Sequence, residues 1–449
     1  MPPPPILLGT YEPYSVGEQR HDPFFLDPAQ HTYIIGASGS GKTHLLRNIL
    51  IQMIARGDAV GFCDPHGDLA EELLDHIPPE RTKDVCYFNP ADVRFPVAWN
   101  PLASIPPEHQ DRVVEGIVAA FSNLFGKGWG YQTEHIVRNA IAALIAAENT
   151  SLLGIRRLLI DPTYRATLLK QVTDQTVRSF WYDEFEAWEN KFRLQAIAPL
   201  QNKLGALFAS PIARNILGQV KNRLDIRRLM DNRSIFIARL PKGIIGKHTS
   251  TLLGALLMTQ FQQAALERAN TPHKDRTPFH LIIDEFQSFL TDEPEAFATT
   301  LAEARKYKLY LTLSHQFLAQ IQDDELKHAV ISNAGNLLVF RVSGHDARFL
   351  EDTLSTDTAH IHKDIFVNLK RGQTIARLVE DGTPQTPLIG TVTPALENPH
   401  DERRKIITRS RRTFTQPRHL VEEQITKFFQ SATEYTKSKK PAVVRRAYH

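Results

Sequence analysis

The run Gly36-Ala37-Ser38-Gly39-Ser40-Gly41-Lys42-Thr43 lies between a short apolar stretch, His31 to Ile35, and a helical pattern carrying Leu45, Leu46, Ile49, Leu50 and Met53. It matches G-x-x-x-x-G-K-[ST] in the context that gives this spacing meaning, a strand before and a helix after. Glycines let the main chain curl so that successive N–H groups face inward, and the helix N-terminus adds partial positive charge at the same place. Gly36 to His44 is therefore the expected cradle for the phosphates of a nucleotide such as ATP. Within it, Lys42 is expected to reach the β and γ phosphates and the Thr43 hydroxyl to coordinate Mg2+. A second buried-type strand, Ala59 to Asp64, follows the helix, and strand, helix, strand in this order make a parallel βαβ unit.

A site that hydrolyses a triphosphate needs an acidic element at the end of a neighbouring strand. Leu281-Ile282-Ile283-Asp284-Glu285 supplies one. Asp284 emerges at the carboxyl end of an apolar run, the edge where open parallel sheets bind ligands. It is expected to hold the metal, while Glu285 orients or deprotonates the attacking water. Taken alone, such an acidic pair is more often a helix cap; beside a P-loop the catalytic reading is the stronger. Gln316 ends the run LYLTLSHQ, and Arg305 lies near the end of the segment before it. Gln316 suits a contact with the γ-phosphate or its water, and Arg305 suits a stabiliser of phosphoryl-transfer charge; a turn glutamine and a surface ion-pair arginine are the plain alternatives. In Asp64-Pro65-His66-Gly67-Asp68 the turn chemistry favours a structural role, with Asp68 as a helix N-cap. His360 and His362 lack metal-ligand spacing. Trp181, Tyr182, Phe185, Trp188 and Phe192 recur at helical spacing and read as core.

The chain of 449 residues has room for two or three folding units. No apolar run approaches the ~18 to 20 residues of a membrane helix, no secretory signal is read at the start, and two cysteines cannot make a disulfide framework. These features lead us to expect a cytoplasmic protein. Five segments are expected: an extended Pro-rich arm over 1–30, a P-loop half of an α/β core over 31–99, a helical insertion over 100–224, the second half of the core over 225–395 and a basic tail over 396–449. The second half carries strand-like runs at Ser234 to Leu240, His280 to Phe286, Leu309 to Gln316, Asn336 to Val342 and Gln373 to Val379. The net charge is only +3, yet Asp401 to His449 carries 13 Lys and Arg against 5 Asp and Glu. Such a tail suits either a polyanion or a solvated mobile extension.

Taken in order, YIIGASGSGKTHLL, VGFCDPHGDLAEELLDHIP, the helical insertion, LIIDEFQSF, LAEARKYKLYLTLSHQFLAQI and the later FRV run resemble the FtsK/HerA superfamily of ring-forming ATPases. The likeness is closest to the TraG/TraD-type coupling ATPases of conjugative type IV secretion and extends from about Ile6 to Val392. The resemblance implies a RecA-like P-loop core of mostly parallel sheet with an inserted all-α domain. It further implies assembly as a homo-hexamer around DNA and ATP-driven movement of the strand. By position, Arg305 matches the family's trans-acting arginine and Gln316 its polar sensor. Conjugative members usually carry an N-terminal membrane anchor, which is not read in this sequence. Docking to a secretion channel and service as a motor in a mobile element or defence system therefore both stay open.

The leading expectation is an ATP-dependent DNA translocase. The alternative is a nucleotide-gated oligomeric scaffold that recruits an effector without moving DNA. A small-molecule kinase is disfavoured by the long helical interruption and by the lack of an arginine-rich lid. The loop Pro241 to His248, with Lys242 and Lys247, suits either a channel lining or an ordinary exposed turn.

Overall fold

The computed structural model describes residues 4–12, 21–126, 129–290, 294–355, 360–397 and 399–438. The chain divides into two compact units, one of residues 1–91 with 225–413 and one of residues 92–224 with 414–449.

In the first unit the strands are β1 (Ile6–Tyr11), β2 (Asp22–Leu26), β3 (His31–Ile35), β4 (Ala59–Asp64), β5 (Val85–Phe88), β6 (Ile235–Arg239), β7 (Phe279–Ile283), β8 (Leu309–His315), β9 (Ala334–Val339), β10 (Gln373–Arg377) and β13 (Leu388–Val392). Among the described residues these form one sheet in the order β2-β1-β13-β10-β9-β3-β8-β7-β4-β6-β5, while β11 (Val379–Glu380) and β12 (Thr383–Pro384) make a separate small ladder. From β9 to β5 every pairing is parallel, and from β10 outward every pairing is antiparallel. Parallel strands covered on both faces read as continuous apolar runs, and β3, β4, β5 and β7 are buried at every position. The helix α1 (Lys42–Ala55) lays Leu45, Leu46, Ile49, Leu50, Met53 and Ile54 against this sheet. Helix Lys247–Leu266 crosses over between β6 and β7, and helix Pro294–Glu303 lies between β7 and β8. The fold is the expected α/β P-loop core with a separate helical unit.

Two expectations are corrected. The described part of 1–30 is not an extended arm: β1 and β2 pair with each other, and β1 also pairs with β13. Ile6, Leu8, Phe24 and Leu26 are buried in that pairing. The partner strand lies some 380 residues away, so nothing local in a Pro-rich start announces it. Nor is the described part of 396–449 a simple extension, since it forms helices Arg403–Phe414 and Arg418–Ser438. Ile406 is buried, the Ser410 hydroxyl accepts from the Tyr87 N–H at 2.9 Å, and Arg403 pairs with Asp75. Part of the basic charge is thus matched by acids of the same unit. Lys439, Lys440 and the residues after them lie outside the described residues.

The second unit is helical, led by Gln110–Phe125, Tyr131–Ala146 and Asn190–Ala209. Phe180, Trp181 and Phe185 are buried against one another as core, on a turn of π-helix, whereas Tyr182 and Phe192 are exposed at the margin of that cluster.

Candidate functional site

All parallel strands end at one edge of the sheet, and the P-loop leaves β3 there. Gly39 and Gly41 have φ of 73° and 121°, values that L side chains rarely adopt. Gly36 is needed for space, because a Cβ there would come within 2.5 Å of the Phe340 Cβ. The loop is anchored by main chain on its flank, with the Ala37 N–H donating to the Arg341 carbonyl at 2.7 Å and the Gly372 N–H donating to the Ser40 carbonyl at 2.9 Å. Lys42 is buried, and its ammonium donates to the carbonyls of Gly36 and Ala37. Burial holds its pKa below the ordinary lysine value, and the charges of Glu285 and Asp284 partly offset this. Lys42 and the two carboxylates therefore share one electrostatic environment.

Asp284 follows β7, its N–H donating to the Cys63 carbonyl at 3.1 Å so that it stays in register with β4. Burial first, then the neighbouring carboxylates Glu285 and Asp64, push its pKa up to about 6. Glu285 adopts the left-handed conformation, φ 46° and ψ 50°, which costs a non-glycine residue about 1 kcal/mol. Its buried carboxylate is held by two amides: Gln287 Nε2 donates to Oε2 at 2.6 Å and Gln316 Nε2 to Oε1 at 2.9 Å. Gln316 thus touches the candidate base directly.

His44 turns its ring to the Thr393 carbonyl at 3.0 Å, which leaves its main chain to the cradle. Asp64 uses both carboxylate oxygens on main chain, accepting from the N–H groups of His66 and Ala70 at 2.8 and 2.9 Å. The N-cap of the following helix is Gly67, so Asp68 is not the cap, and Asp64 does the anchoring. Arg305 lies just before β8, at the amino ends of the strands, where its charge acts on His31 at the start of β3. The seven residues of β8 put it about 20 Å from Gln316. Within one subunit the structure does not bring Arg305 to the P-loop.

Two features of the site escaped sequence reasoning. Lys242, read as an exposed or channel lysine, donates to the Ser288 hydroxyl at 2.5 Å and feels the charges of Glu285 and Asp284. Beneath the P-loop the Tyr33 hydroxyl pairs with His315 Nε2, linking the strand that leads into the loop to the strand that ends at Gln316. Burial and then Lys42 lower the His315 pKa to about 3, so this ring is neutral. A polar pair inside two apolar strands was the available signal.

Ser40 Oγ is buried in the loop without a protein partner, as a phosphate-binding hydroxyl would be. The Thr43 hydroxyl and the Asp284 carboxylate are hard oxygen donors of the kind Mg2+ takes, and the residues present fit that ion. Among the described residues no group of three or more His, Cys, Asp and Glu could hold a metal, so phosphate and water would complete its shell.

Among solved structures, the plasmid coupling protein TrwB in complex with ADP and Mg2+ matches with a TM-score of 0.59 at 16% identity, covering 84% of this chain and 88% of that one. VirB4 of Thermoanaerobacter pseudethanolicus matches with a TM-score of 0.56 at 16% identity, covering 87% of this chain and 96% of its own. At such identities these matches establish the fold, a RecA-like P-loop core with an all-α domain. No curated protein matches. Among the described residues no helix is long and apolar enough to cross a membrane. The family model for the type IV secretion-system coupling protein DNA-binding domain matches residues 27–358, most of the chain, and the chain belongs to that family of TraG/TraD-type coupling ATPases.

Proposed function

We propose that this protein hydrolyses ATP to move DNA, as a ring, a homo-hexamer, on the cytoplasmic side of a conjugative or related transfer system. The observation that carries the proposal is the Glu285 carboxylate held between Gln287 and Gln316 on the edge of the sheet that holds Lys42. In this reading the main chain of Gly36 to His44 wraps the phosphates, and Lys42 leaves its loop carbonyls for the β and γ oxygens. Thr43 and Asp284 would hold Mg2+, which when bound would supply neutralising charge at the phosphates. Gln316 and Gln287 aim the Glu285 carboxylate at a water. Glu285 takes the proton as the water oxygen bonds to the γ-phosphorus and the bond to the β-γ bridging oxygen breaks, releasing ADP and phosphate. Arg305, at the far edge of its own sheet, serves the site of the neighbouring subunit.

Support for the DNA step comes from the family to which the chain belongs. The scaffold alternative makes the same use of the P-loop and differs only in outcome. Displacement of a DNA-bound roadblock separates the two. Wild-type protein with ATP should clear it and Lys42→Ala should not, whereas ATP-dependent oligomerisation without clearance would favour the scaffold.

A further inference from the structure

We propose that Arg341 and Arg371 form a cationic wall along the P-loop, on the side opposite the acidic pair, that binds the α-phosphate of the nucleotide. This rests on the P-loop being a nucleotide site, as proposed above. In the sheet, β8 and β7 lie on one side of β3, carrying Gln316, Asp284 and Glu285, while β9 and β10 lie on the other. Arg341 follows β9 at the carboxyl edge, and Arg371 precedes β10, whose antiparallel direction brings its amino end to that same edge.

Both residues are fixed to the loop by main chain. The Phe340 N–H donates to the Ile35 carbonyl at 2.8 Å, and the Ala37 N–H returns to the Arg341 carbonyl at 2.7 Å. On the other segment the Gly372 N–H donates to the Ser40 carbonyl at 2.9 Å, and the Val392 N–H to the Gly372 carbonyl at 2.9 Å. The contact is close, since a Cβ on Gly41 would lie 3.3 Å from the Gly372 N and Cα. The turn is closed by the Gln373 N–H on the Lys370 carbonyl at 3.0 Å and the Lys370 N–H on Gln373 Oε1 at 2.9 Å.

Both arginines are exposed, and among the described residues neither has an acidic partner. The main chain of each arginine is thus fixed beside the cradle, and its exposed guanidinium carries donors in the form that pairs with phosphate oxygens. The carboxylates on the opposite side repel a triphosphate, and Lys42 alone offsets them from within the loop. Arginines on the β9 side meet the phosphate farthest from Glu285, which ADP and ATP share.

The test is the affinity for ADP and for ATP, measured by calorimetry with Mg2+ at fixed salt, in wild type, Arg341→Ala, Arg371→Ala, the double variant and Lys274→Ala. Lys274 is an exposed cation before β7, at the amino edge, and controls for net charge. Each arginine variant should weaken ADP and ATP by the same factor, about tenfold, as expected for a charge-assisted hydrogen bond. Lys274→Ala should stay within twofold, and Arg371→Lys should recover part of the loss. Loss confined to ATP, an equal loss in Lys274→Ala, or a double variant within twofold of wild type would overturn the assignment. If wild type binds neither nucleotide, the functional reading falls with it; if wild type and double variant bind equally, only this inference falls.

Discussion

Gln316 Nε2 donates to Glu285 Oε1 at 2.9 Å, joining the residue that ends one strand to the carboxylate that follows its neighbour. Gln287 holds the other oxygen at 2.6 Å, so the carboxylate direction is fixed from both sides. Gln316→Ala should lower ATP turnover by about one to two orders of magnitude, in line with loss of a group that positions a general base, while ATP affinity stays within a few-fold. A fall in affinity matching the fall in turnover would place Gln316 in binding instead.

Gly36 and Gly39 separate space from conformation. A Cβ at Gly36 meets Phe340 within 2.5 Å, whereas none of the surrounding atoms lies within 4 Å of a Cβ at Gly39, whose φ is 73°. Gly36→Ala should cost about 1 to 3 kcal/mol of stability by overpacking and abolish nucleotide binding. Gly39→Ala should cost about 1 kcal/mol through the left-handed backbone alone. Equal stability of the two variants in thermal melts would count against this division.

Asp284 supplies a pH signature. Its folded pKa of about 6 exceeds the ordinary aspartate value of 3.8 because burial disfavours the anion. Between those values the folded state binds more protons than the unfolded one, so wild type loses stability as pH rises, by about 2 to 3 kcal/mol in all. Asp284→Asn removes this pH dependence. In EDTA the variant should gain on wild type from about pH 4 to about pH 7 and hold its lead above that, yet be inactive with Mg2+. A stability difference that does not change with pH would show that burial is not what sets this carboxyl.

Arg305 gives a mixing experiment. Because it lies at the amino edge of its own sheet, Arg305→Ala and Lys42→Ala subunits combined should recover part of the turnover that each lacks. Mixed rings shown to form without any recovery would remove the trans role.

The P-loop was legible because its chemistry is local: the glycines, Lys42 and Thr43 lie within eight residues bounded by a strand and a helix. The apolar run ending at Asp284 was legible for the same reason, and parallel strands then place their ends together. What was hidden depends on long-range pairing. The β1 register on β13 and the burial of Ile406 are set by segments hundreds of residues away. Lys242 is one of several lysines in sequence, and only the turn at Ser288 distinguishes it. The place of Arg305 needed the strand direction before its distance from Gln316 could be stated.

In the proposed function Glu285 drives cleavage of a triphosphate gripped at Lys42, in step with DNA. The most direct measurement is phosphate release by wild type and Glu285→Gln, with and without DNA, alongside retention of labelled ATP. Release should rise with DNA in wild type, and Glu285→Gln should lose release while ATP is retained on the protein. Undiminished release by Glu285→Gln, or a wild-type rate indifferent to DNA, would contradict it.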